Sequence, residues 1–176
     1  MVPAASVEVI RNSFPFPTIT SYTGEPDYAC IKKVHDKLKA NAASVHLTLG
    51  GGNHGLLGLV MTDASYLTTT GVAFTRPANP GYLPVIPDPC TAAQTAEIVR
   101  QHTNLLRMFQ ETVNCDRALK QQILEVFDEE YTQAICDPNI GFANVNSMQM
   151  ITHLYDFYAT FEDQRGGSTR WIEDQV

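Results

Sequence analysis

Apolar residues recur at helical spacing over most of the chain. Ile31, Val34, Leu38, Ala42 and Val45 lie three or four positions apart, which predicts an amphipathic helix opening near Pro26, a residue suited to a first helical turn. TDASYLTTTG, residues 62–71, predicts a short helix with Thr62 as its N-cap and Gly71 at its stop. Thr91 and Gln94 have the spacing of a capping box, and Ile98, His102, Leu105, Phe109 and Val113 follow on one face. Leu119, Ile123, Val126, Phe127, Tyr131 and Ile135 carry the helical pattern on to a stop at Asp137-Pro138. Asn146 and Gln149 offer a further cap, ahead of a wide apolar and aromatic stripe at Met148, Ile151, Leu154, Tyr155, Tyr158 and Phe161.

Other stretches break this pattern. Residues 1–24 read as an extended arm, because Pro15 and Pro17 steer Phe14 and Phe16 away from helix. Two phenylalanines are costly in a free tail, so the arm is expected to pack on something. Val45-His46-Leu47-Thr48-Leu49 alternates like a short strand, the one minor β element expected, near 45–49. Residues 76–90, RPANPGYLPVIPDPC, carry five prolines and form a stiff joint that is neither regular helix nor central strand. Gly166-Gly167-Ser168 opens a change of character that continues to 176, so 164–176 reads as a flexible tail or a terminal scar. The expected fold is all-α: a compact bundle of about five to seven helices over residues 25–163, with a sub-boundary at the Pro-rich joint.

Composition narrows the function classes. With 176 residues, 44% hydrophobic and 18% charged, the chain suits one globular domain with a sizeable core. No apolar run approaches the length of a membrane span, and MVPAASVEVIRNSFPF lacks the basic start and apolar stretch of a secretory signal. Cys30, Cys90, Cys115 and Cys136 are scattered without a C-x-x-C, which points to free thiols in a reducing, cytoplasmic setting rather than to disulfides or zinc. The formal charge of −7 and pI near 5.1 disfavour strong nucleic-acid binding, which draws on Lys and Arg. Lys32, Lys33, Lys37 and Lys39 form the one basic cluster. At helical spacing it reads mainly as a solvated face, and as a candidate for meeting an acidic partner surface such as Asp128-Glu129-Glu130.

LTLGGGNHGLLGLV, residues 47–60, raises the question of an enzyme. Gly50, Gly52 and Gly55 fit G-x-G-x-x-G after a strand-like stretch. A dinucleotide site also needs a βαβ unit and a carboxylate some twenty residues on, where this chain has GVAFTRPANPG. Gly50, Gly51, Gly52, His54 and Gly55 therefore read as a structural turn that permits tight bending and close backbone packing. The five histidines are dispersed, and no nucleophile elbow, H-E-x-x-H or aspartic-protease motif occurs. No catalytic, cofactor-binding or metal-binding residue is expected.

NAASVHLTLGGGNHGLLGLVMTDASY, 41–66, resembles the N-A-x-S-V-x-x-x-L-G-G-G-x-H-G-x-L-G-L-V block of Gag-like regions in copia-type LTR retrotransposons, notably of algal, diatom and oomycete lineages. ALKQQILEVFDEEYTQAICDPNIGFANVNSMQMITHLYDFYATFED, 118–163, is similar to the later part of the same regions, and RPANPGYLPVIP fits their Pro-rich joint. The likeness spans roughly residues 18–163. Leu56 departs from it, standing where the family commonly has a second His, so paired histidines for a metal are not implied. The resemblance implies a helical capsid-type protein, not an enzyme, that associates with copies of itself into oligomers or virus-like particles enclosing element RNA. Tyr155, Tyr158, Phe161, Phe14 and Phe16 are the candidate self-association residues. The chain has no Cys-x2-Cys-x4-His-x4-Cys zinc knuckle and no basic tail, so RNA is expected to bind this part weakly at most. Two other readings remain open: a domesticated capsid-like module that binds a partner peptide in a groove between helices, and a nucleotide-binding enzyme using the Gly50–Gly55 turn.

Overall fold

Local capping chemistry sets where the helices begin in this fold, known from a computed structural model that describes residues 3–46 and 54–159. Five α-helices and no β-strand occur among the described residues: α1 (Val7–Asn12), α2 (Tyr28–Ser44), α3 (Asp63–Thr70), α4 (Ala92–Val126) and α5 (Ser147–Leu154). Both capping boxes form: the Gln94 N–H donates to Thr91 Oγ1 at 3.2 Å, and the Gln149 N–H to Asn146 Oδ1 at 2.9 Å. Thr62 caps α3, which ends on Gly71 in the left-handed conformation. Helix α2 starts two residues beyond Pro26, because the Asp27 carboxylate accepts from the Cys30 N–H at 2.6 Å and makes Asp27 the cap.

Helix α4 is the spine. Its 35 residues span about 52 Å, and α1, α2 and α5 all pack against it. It runs without a break from Val113 to Leu119, since NCDRA holds no glycine or proline to interrupt the helix. The helix stops at Val126, well short of the predicted stop at Asp137-Pro138. Phe127 turns extended and enters the core at 3% exposure, and the chain continues in 3₁₀ turns at Glu129–Tyr131 and Gln133–Ile135. Spacing by fours therefore persisted past the point where burial of Phe127 replaced another helical turn.

The core sits where α2, the carboxyl-terminal half of α4, α5 and a 3₁₀ turn at Leu57–Val60 converge. Leu38, Ala42, Leu59, Leu119, Ile123, Met150, Ile151 and Leu154 are essentially sealed from solvent, each larger side chain contributing about 1.5–3 kcal/mol by burial. No fully buried residue of α4 precedes Met108, so its first four turns extend away from this core. Ser147 ties α5 back to α4, its N–H on Asp116 Oδ1 at 3.1 Å and its Oγ on the Asp116 carbonyl at 3.0 Å.

The amino-terminal segment is not the wholly extended arm that its prolines suggest. Val7–Asn12 are helical and lie on α4, held by a bidentate pair from Arg11 to Glu125 and by Asn114 Nδ2 donating to the Ala5 carbonyl at 2.8 Å. The prolines act only after Asn12, where the chain leaves helix and buries Phe14 and Ile19. Val45 and His46 are not in a strand, and the rest of the expected β element, 47–49, lies outside the described residues, as do Gly50, Gly51 and Gly52.

Candidate interaction surfaces

The first surface is built on α2. Phe16 and Tyr28, 40% and 46% exposed, line a hollow of about 520 Å3 with Lys32, Lys33, Asp36 and Lys37. Asp36 neutralises part of the basic cluster, with Lys32 Nζ at 2.6 Å and Lys39 Nζ at 3.5 Å. The Lys32 hydrogen bond holds the Asp36 carboxyl below its usual range. Lys37 Nζ lies 5.7 Å from the centre of the Phe16 ring, within cation–π distance. The predicted basic face is thus a mixed cationic and aromatic hollow, with Lys33 among its lining residues.

Behind this hollow lies a polar link that the amphipathic pattern did not reveal. Asn41 and Gln122 are 0% and 1% exposed. Asn41 Nδ2 donates to Gln122 Oε1 and to the Phe16 carbonyl, both at 2.9 Å, while Asn41 Oδ1 accepts the Phe16 N–H at 2.9 Å. Gln122 Nε2 adds a bond to the Phe16 carbonyl at 2.8 Å. Two buried amides, one from α2 and one from α4, therefore fix the backbone that presents Phe16. The available signal was an amide at position 41, between Leu38 and Ala42 on the apolar stripe.

The second surface is the aromatic end after α5. Tyr155 rests against Tyr28 and His35, with ring centres 5.9 and 5.6 Å apart, and Tyr158 meets Tyr131 edge-on at 5.2 Å. Both candidate tyrosines are half-buried and occupied within the chain. Phe157, which the stripe omitted, is the exposed ring at 59%. Phe14, at 4% exposure, is a core residue and does not join an outer face, a correction to its place among the contact candidates that follows from its packing under α1. Phe161 lies outside the described residues.

His35 links this end to the core. Its Nε2–H donates to the Val60 carbonyl at 2.7 Å, leaving Nδ1 to accept from the Tyr155 hydroxyl at 3.2 Å. Burial lowers its pKa below the ordinary 6.5, opposed mainly by the Val60 hydrogen bond, with Lys39, Asp36 and Lys32 acting from α2. Burial likewise pushes the Tyr155 hydroxyl up to about 12. Because the unfolded chain takes up the His35 proton first, stability should be complete above the unfolded value near 6.5. It should fall as pH drops below 6.5 and through the folded-state pKa. Urea titrations between pH 7.5 and 5 would measure this decline, and His35→Gln should flatten it.

The third surface is an arm. The Pro-rich segment runs antiparallel along the first half of α4: Arg76 and Pro77 lie beside Phe109 and Val113, the Gly81 carbonyl accepts from His102 Nε2 at 2.9 Å, and Cys90 meets Thr95. The expected joint is thus a strap along α4 that leaves Leu105 of the apolar stripe exposed. Its outer side carries Tyr82 at 97% exposure and Val85 at 95%. Pro87, Pro89, Cys90, Ala93 and Ile98 border a hollow of about 510 Å3. Nearby, the Arg100 guanidinium holds the exposed Glu97 carboxyl down to about 2.

The structural turn is partly visible. His54 is exposed. Gly55 has φ +53, and a Cβ there would stand 2.4 Å from the Val45 carbonyl oxygen and 2.5 Å from that of Ala43. Gly55 thus abuts the carboxyl end of α2, the negative pole of a helix, whereas phosphate binds at the opposite pole. Among the described residues no three His, Cys, Asp or Glu side chains gather to hold a metal, and no helix is long and apolar enough to cross a membrane. No protein-family model, curated protein or solved structure matches the chain.

Proposed function

We propose that this chain is a capsid-like Gag region of a copia-type retrotransposon, which associates with copies of itself into oligomers or particles around element RNA. One observation supports this most: two outer surfaces, the cationic and aromatic hollow at Phe16 and the apolar strap, are anchored far apart on α4. The Phe16 hollow is anchored at Gln122 and the strap reaches Thr95, a separation of about 40 Å along the helix. Large apolar side chains left in water in this way mark association surfaces. A subunit with two distinct contacts on a rigid spine can extend an assembly where a single two-fold contact would end at a dimer. The formal charge of −7 puts RNA recognition mainly on other parts of a Gag protein.

Light scattering and negative-stain microscopy over a range of salt and protein concentration test this reading. Concentration-dependent oligomers or particles are expected, and a strictly monomeric species throughout would overturn it. A second reading, a domesticated peptide-binding module, draws support from the Lys33, Lys37 and Phe16 hollow, which suits an acidic segment with one apolar side chain. A stable monomer that binds such a peptide would favour it.

A further inference from the structure

We propose that the strap and the first turns of α4 form a two-fold contact with the same face of a second copy, Tyr82 of each copy entering the hollow beside Ile98 of the other. The inference rests on the self-association reading and names its first contact. Tyr82 and Val85 are 97% and 95% exposed, although the strap that bears them is held against α4 at Gly81 and Cys90. With Leu83, Ile86 and Leu105, which are 37–46% exposed, they offer roughly 500 Å2 of apolar surface per copy, so a pair reaches about the 1,000 Å2 that a specific interface requires.

Charge selects the strap as the face on which a second copy can dock. Two chains of formal charge −7 repel one another, and the contact that costs least is the one with the fewest charges. Residues 77–96 hold a single charged side chain, Asp88. Just beyond them Glu97 and Arg100 neutralise each other at 2.7 Å. Shape agrees with two-fold pairing, which needs a projection and a recess on one surface. Tyr82 is the projection, and the hollow of about 510 Å3 walled by Pro87, Ala93 and Ile98 is the recess. The prolines of the strap stiffen it before contact, which lowers the entropy lost on docking.

Sedimentation equilibrium of the full chain and of Tyr82→Ser/Val85→Ser tests the contact. The double variant should weaken the dimer at least tenfold while keeping the circular dichroism spectrum and melting temperature, because neither side chain is part of the core. Phe157→Ser, at the other end of the molecule, should leave the dimer constant unchanged. A photo-crosslinking phenylalanine analogue at position 82 should join two copies and map to Pro87–Gln101. If Tyr82→Ser/Val85→Ser assembles as tightly as the parent chain, or the crosslink maps to α2, the arm contact is wrong and the self-association reading stands. A parent chain that is monomeric at every concentration overturns both.

Discussion

Gly55→Ala will lower the unfolding free energy by about 3 kcal/mol or more, the sum of a left-handed backbone cost of about 1–2 kcal/mol and a clash that adds to it. The clash has nowhere to relax. The added carbon would stand 2.4 and 2.5 Å from two backbone carbonyl oxygens, Val45 and Ala43, in the last turn of α2 and its cap. Moving them apart would also stretch the bond from the Leu56 N–H to the Ala42 carbonyl, now 3.0 Å, and shift Leu56, which is wholly buried. For a chain of this length the melting temperature should fall by about 6–12 °C, followed by circular dichroism. Gly71→Ala is the control. Its φ is +76, but nothing lies within 4 Å of the added carbon, so only the conformational cost of about 1–2 kcal/mol applies. Equal losses in the two variants would show that close approach to α2 is not what position 55 requires.

Where a signal was local, it could be read from residues alone. The capping boxes at Thr91 and Asn146, the Thr62 cap and the Gly71 stop depend on neighbours within four positions, and the all-helical class followed from them and from the apolar spacing. Helix α1 was not legible: six residues make too little helix to persist alone, and its anchors, Glu125 and Asn114, lie more than 100 positions away. The end of α4 was misread for a related reason, because Phe127 and Tyr131 keep helical spacing while their packing does not. The proline run announced a stiff segment, yet its path along α4 is set by His102 and Thr95, contacts that spacing does not encode. The same divide holds for the surfaces. The lysines of α2 were visible as a cluster, whereas the exposure of Tyr82, Val85 and Phe157 and the burial of Phe14 depend on tertiary packing.

Asn41→Leu should cost about 3–5 kcal/mol, because the loss is counted in orphaned partners and not in one bond. Leucine has the branching of asparagine, though more bulk, and suits a stripe flanked by Leu38 and Ala42, so hydrophobicity alone favours the change. Against it, the Phe16 N–H loses its acceptor on a part-buried segment, and Gln122 Oε1 loses its donor where water does not reach. Each orphan costs about 1–3 kcal/mol. Asn41→Leu/Gln122→Leu removes one of them together with its partner and should cost less than the sum of the single variants by about 1–2 kcal/mol, a coupling that urea denaturation resolves. The consequence reaches the surface as well. Asn41 and Gln122 fix the backbone of Phe16, whose ring walls the cationic hollow under Lys37. Asn41→Leu should therefore loosen the segment after α1 and speed tryptic cleavage at Arg11, which Glu125 and the Pro17 carbonyl now hold. Full additivity of the two substitutions, with cleavage unchanged, would show that the amides do not act as one clamp.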